Sequence, residues 1–116
     1  MIKLGTAHMC FDNILLMRDG ILNAPPGYEE ELVFYASEAA IGCAQSYLIS
    51  IGEKELNRYI VPELFAEKSD IKVDSKVVME ARDFRLSGKI DKSGDFVERC
   101  YDFCWAIYEH ILKQLK

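Results

Sequence analysis

Apolar residues recur at helical spacing over the long stretches of this chain, and no stretch long enough to build a sheet alternates apolar with polar at every second position. The nearest approach to a strand, Asp70 to Val73, is too short to matter. That periodicity restricts the fold to helices packed on helices. In residues 3–22 the repeating positions are Leu4, Ala7, Phe11, Ile14, Leu15, Ile21 and Leu22, while Met9, Leu16 and Met17 add apolar surface on other sides. A helix apolar on so many sides is either deeply buried or shared with a partner. Arg18 interrupts the stripe as an edge residue whose head reaches water.

The segment Asn23-Ala24-Pro25-Pro26-Gly27 ends this helix, because proline lacks an amide proton and its ring clashes with the preceding turn. A second helix is expected over residues 28–51. Glu29, Glu30 and Glu31 crowd its first turn, where the helix dipole favours negative charge, and Gly52 stands where a left-handed cap is wanted. Leu32, Ala36, Ala39, Cys43 and Tyr47 form one stripe, with Val33, Ala40, Ala44 and Leu48 a second beside it. So many small residues let neighbouring helices approach closely, which makes this the central helix.

Beyond it, residues 55–60 read as a short helix, and Pro62 suits the first turn of another through residue 68. Residues 69–72 read as a turn. Asp74 can cap a helix over 75–86 that turns Val77, Val78, Ala81 and Phe84 inward. After a polar loop over 87–94, Asp95 and Glu98 form a capping-box-like start for the last helix, 96–115. Its inner face carries Phe96, Cys100, Phe103, Cys104, Ile107, Tyr108 and Ile111. The expected architecture is all-α, an antiparallel up-and-down bundle of four to five helices forming a single domain over residues 1–116.

With 116 residues, 50% of them apolar, the chain can build a core without disulfide or metal staples. A net charge of −5 argues against non-specific nucleic-acid binding, which rewards clustered Lys and Arg. No apolar run approaches the roughly 20 residues that a bilayer span needs, and the first residues lack the pattern of a signal peptide. Cys10, Cys43, Cys100 and Cys104 lie on or beside helical apolar stripes, with no Cys-x-x-Cys pair. Packing as free thiols in a reducing, cytoplasmic compartment is the expectation, with no structural metal, no cofactor and no disulfide.

Candidate chemistry is sparse. His8 and His110 have no nucleophile or carboxylate at a recognisable motif spacing, and no glycine-rich phosphate loop is present. The strongest cluster is Arg82, Arg85, Lys89 and Lys92, interspersed with Asp83 and Asp91, in a chain that is otherwise acidic. Arg82, Arg85 and Lys89 share a face if the helix persists that far. Individually each suits a solvated helix end, where cations favour the dipole. As a group they are the best candidates for meeting a phosphate or an acidic partner. Trp105 lies on the wheel between Tyr101, Tyr108 and Leu112 and the acidic stripe of Glu98, Asp102 and Glu109, as either partly buried core or interface.

The segment Leu32-Val33-Phe34-Tyr35-Ala36-Ser37-Glu38-Ala39-Ala40 resembles the aromatic-Tyr-Ala region of HEPN domains. Ala81-Arg82-Asp83-Phe84-Arg85-Leu86-Ser87-Gly88-Lys89-Ile90 resembles the arginine-bearing helix end of that family, and the long aromatic helix follows in the same order. The resemblance covers about two thirds of the chain and implies a helical bundle that commonly dimerises and often works beside a minimal nucleotidyltransferase, as in toxin–antitoxin pairs. Some members are metal-independent ribonucleases using an arginine followed by histidine. Here Arg85 matches the arginine, but the positions for the histidine hold Lys89, Ile90, Asp91 and Lys92, so the acid–base group is missing.

The resemblance therefore implies a non-catalytic module binding a nucleotide or a nucleotidyltransferase through Arg82, Arg85 and Lys89, with Tyr35 and Glu38 beside Arg85. The competing expectation is a helical homodimer that acts as an interaction protein, with Trp105, Met9 and Leu16 at its interface. An enzyme would require His8 or Glu38 to converge on Arg85. Because Arg85 is not a core residue, its removal is expected to leave stability almost unchanged.

Overall fold

The computed structural model describes residues 4–23, 27, 29–53, 57–88 and 95–115. Among these residues there are five helices and no strand: α1 (Leu4–Asn23), α2 (Glu29–Ser50), α3 (Val61–Lys68), α4 (Lys76–Ser87) and α5 (Phe96–Leu115). The fold is an all-α bundle, as the periodicity implies. α2 packs against all four other helices, and one buried cluster draws residues from every helix.

The central position of α2 follows from its small side chains. Ala36, Ala39, Ala40, Cys43 and Ala44 are fully buried. At Gly42 a Cβ would sit 2.5 Å from Asn13 Oδ1, so the missing side chain leaves room for the Asn13 amide of α1 to rest against α2. Cys10 meets Cys43, and Asn13 meets Gly42, so α1 and α2 run antiparallel. Cys43 meets Cys104, and the Tyr47 ring lies 5.6 Å from His110, so α2 and α5 run in the same direction.

Residues Glu31–Ser50 are long and apolar enough by composition to cross a membrane, which corrects the expectation that no run approaches that length. Part of this apolar surface faces the other helices of the bundle, where Ala36, Ala39, Ala40, Ala44 and Leu48 have no exposed surface, while Phe34, Tyr35 and Ile49 remain exposed. A bundle's central helix and a membrane span share this composition because both are surrounded by apolar groups.

The caps explain the helix ends. Gly52 has φ 101°, its N–H donates to the Ile49 carbonyl at 3.0 Å, and the Glu53 N–H donates to the Leu48 carbonyl at 3.0 Å. This paired arrangement closes α2 through a left-handed residue. Gly88, φ 70°, ends α4 by donating to the Phe84 carbonyl at 2.8 Å.

Two local expectations need correction. The described part of the 55–60 segment is a turn: the Asn57 side chain accepts the Tyr59 N–H at 2.8 Å, and the Asn57 carbonyl accepts the Ile60 N–H at 2.9 Å. An asparagine that bonds its own following backbone competes with helix formation. Asp74 does not cap α4. Ser75 holds the cap position without a side-chain bond, and the Asp74 carboxylate accepts from Arg99 Nε at 3.0 Å and Nη2 at 2.8 Å. Glu80 also pairs with Arg99 at 2.8 Å, so one guanidinium ties α4 to α5.

Candidate functional site, an arginine-lined cleft

On α2, residues 34, 38 and 41 fall on one face because they are four and three positions apart. On α4, residues 82, 85 and 86 do the same. The Asn57 turn between α2 and α3 delivers Arg58 and Tyr59 to the same place. These segments enclose a surface cleft of about 190 Å³ lined by Glu38, Ile41, Arg58, Tyr59, Arg82, Arg85 and Leu86.

Glu38 sits between two guanidinium groups. Arg58 Nη2 donates to its Oε2 at 2.8 Å, and Arg85 Nε lies 2.9 Å from its Oε1. The Arg85 guanidinium also covers the Phe34 ring, 4.2 Å from the centroid, which adds an attraction between cation and ring face. Both Nη groups of Arg85 lack a protein hydrogen bond among the described residues.

Arg82 is held differently. Its Nη1 donates to the Tyr59 carbonyl at 2.7 Å and pairs with both carboxylate oxygens of Glu63. The hydrogen bond from Arg82 holds the Glu63 carboxyl below its ordinary range, and the same contact raises the guanidinium. Arg82 thus clasps α4 to α3 and to the turn before it, while Arg85 and Arg58 keep donors facing the cleft.

The rim is apolar. Tyr59 is 61% exposed and Leu86 59%, with Ile60, Phe34 and Tyr35 also exposed nearby in sequence. The cleft therefore combines strong anion donors with flat and aliphatic surface beside them. It can hold an anionic group and let an attached apolar or aromatic moiety rest on Tyr59 and Leu86.

The structure brings together Arg82, Arg85 and Glu38 as expected. Tyr35 does not line the cleft: it meets Phe34 edge-on at 6.0 Å, and Phe34, four residues before Glu38, takes the place beside Arg85. Lys89 lies outside the described residues, and α4 stops at Ser87. Arg58, Tyr59, Ile41 and Leu86 went unrecognised in the sequence. Arg58 gave no local signal, because its partner Glu38 is 20 positions away. His8 is exposed on α1, which supplies none of the described lining residues, whereas Glu38 does converge on Arg85, so of the two alternatives an enzyme would require the Glu38 one is met in geometry.

The expected interface is divided. Trp105 packs with Phe11, Tyr101 and Tyr108 along the α1–α5 seam, at ring separations of 6.4, 6.2 and 5.7 Å respectively. Met9 precedes Phe11 by two positions, nearly half a turn around α1, so it lies on the opposite flank and is 44% exposed. Leu16 belongs to α1, and its side chain is outside the described residues.

Cys10, Cys43, Cys100 and Cys104 are buried free thiols. Cys10 Sγ lies 3.2 Å from Cys43 Sγ. Burial pushes the Cys43 thiol well up, and the neighbouring thiols of Cys10 and Cys104 push it further. Burial raises Cys100 as well. Comparisons of the chain with protein-family models, with curated proteins and with solved structures return no match.

Proposed function

We propose that this protein is a non-catalytic, HEPN-like binding module whose arginine-lined cleft takes the phosphate of a nucleotide, free or presented by a nucleotidyltransferase partner. The observation that carries the reading is the placement of Arg85: two Nη groups without a protein hydrogen bond among the described residues, in a cleft shared with Arg58 and Arg82. Guanidinium groups recognise phosphate oxygens in pairs, and several converging on one point favour a concentrated anion. At about 190 Å³ the cleft accommodates the phosphate end of a ligand, and the base rests outside on Tyr59 and Leu86. Stacking of that kind tolerates different bases, because every base offers a flat face. Four buried unpaired thiols support a reducing, cytoplasmic setting.

The test is calorimetric titration of the full chain with AMP, paired with thermal melting. Arg85→Ala should weaken binding by about 1.5–3 kcal/mol, the range for hydrogen bonds to charged groups. Its fold should lose about 1 kcal/mol, more than its surface position alone implies, because Arg85 pairs with Glu38 and covers Phe34 while remaining partly exposed. Normal binding by a destabilised Arg85→Ala would make the residue purely structural and end the reading.

A second reading, homodimerisation, rests on the sequence of α1, which is apolar on several sides, with Met9 exposed on one flank. Sedimentation at high micromolar concentration decides it, and a monomer there removes it.

A further inference from the structure

We propose that Glu38 is an internal substitute for the ligand's phosphate, and that the cleft selects a terminal phosphate monoester over a phosphodiester. This rests on the reading of the cleft as a phosphate site and adds which class of phosphate it takes.

The geometry is that of a bridging anion. The two carboxylate oxygens of Glu38 are divided between guanidinium groups from different segments, Oε2 to Arg58 at 2.8 Å and Oε1 to Arg85 at 2.9 Å. Two oxygens of a phosphate would span the same pair. Glu38 is a flexible side chain at the cleft wall, 25% exposed, so rotation about its own bonds moves the carboxylate out without moving α2. Arg82 stays occupied by Glu63 and the Tyr59 carbonyl throughout, which keeps the α4 wall in place.

Charge then sets the selectivity. An entering anion must displace one negative charge from Arg58 and Arg85. A phosphodiester also carries one, so the exchange of ionic contacts is nearly even. A phosphate monoester carries close to two at neutral pH, because its second ionisation falls near pH 6, and it wins the exchange. It also offers a further oxygen to the Nη groups of Arg85, which have no hydrogen bond among the described residues. The net charge of −5 works in the same direction, since an extended polyanion meets repulsion beyond the cleft that a compact ligand does not.

AMP and 3′,5′-cyclic AMP test this directly, because they share a base and differ chiefly in phosphate charge and esterification. Titrations at pH 7.5 and low salt, followed by the NMR signals of the arginine Nε–H groups, should give the wild-type chain about tenfold tighter binding of AMP, roughly the effect of one additional partly screened charge. Glu38→Gln keeps the side-chain shape and removes the charge. It should tighten both ligands about tenfold and leave the ratio between them nearly unchanged, because the displaced carboxylate costs each ligand the same and the selectivity comes from the ligand's own charge against Arg58 and Arg85.

Equal wild-type affinities, or weaker binding of both ligands by Glu38→Gln, overturn the substitution idea while leaving a phosphate site in place. The wild-type ratio decides independently if the variant is poorly folded. Absence of binding of either ligand to either protein overturns the phosphate reading itself.

Discussion

Tyr47 joins three helices and offers a clean test of how this core is held. The residue is 1% exposed, and its ring lies 5.3 Å from Phe65 of α3 and 5.6 Å from His110 of α5. Its hydroxyl donates to Asp70 Oδ1 at 3.0 Å and accepts the Asp70 N–H at 3.4 Å. Tyr47→Phe keeps the ring contacts and removes only the oxygen. Asp70 is exposed, so water replaces the lost donor, and the cost is that of an ordinary net hydrogen bond, about 1 kcal/mol. Tyr47→Ala deletes the ring as well and should cost about 3–5 kcal/mol.

Urea denaturation of the three proteins measures both values. Burial raises the Tyr47 phenol above its ordinary value of about 10, so the folded state favours the neutral form. That contribution is fully present below pH 10 and is lost as pH rises through the raised value, because the unfolded chain releases its proton first. The gap between wild type and Tyr47→Phe should therefore narrow above pH 10. A loss above about 3 kcal/mol for Tyr47→Phe would mean that water cannot reach Asp70, and would refute the argument. No loss at all would mean that the hydroxyl bond is absent in solution.

Two further outcomes follow from buried polar groups. The Ser37 hydroxyl is fully buried and has no hydrogen-bond partner among the described residues, so Ser37→Ala should stabilise the fold by about 1 kcal/mol through removal of that group and a better helix former. A lower melting temperature would show that the hydroxyl is satisfied. All four thiols are buried, and those of Cys43 and Cys100 are pushed up, so a thiol-labelling reagent should modify the native chain only as fast as it unfolds. Rapid labelling of the native protein near neutral pH would contradict this packing.

The helices and their order were legible in the sequence because a helix is a local object. The small-residue stripes of α2, the proline break before it and Gly52 after it each act within a few residues, and each places a boundary close to where the structure has it. Arg85 and Glu38 were legible as a pair only through the family resemblance, and Arg82 through its spacing from Arg85. What only the tertiary structure decided was the occupant of each charge. Asp74 looked like a helix cap and serves Arg99 instead, 25 positions away. Arg82 looked like a ligand residue and clasps Glu63 and the Tyr59 carbonyl. Arg58 gave no sign of itself, yet it completes the cleft around Glu38. Charged side chains pair with whatever the fold brings within reach, and reach in space is set by packing between helices rather than by spacing along them.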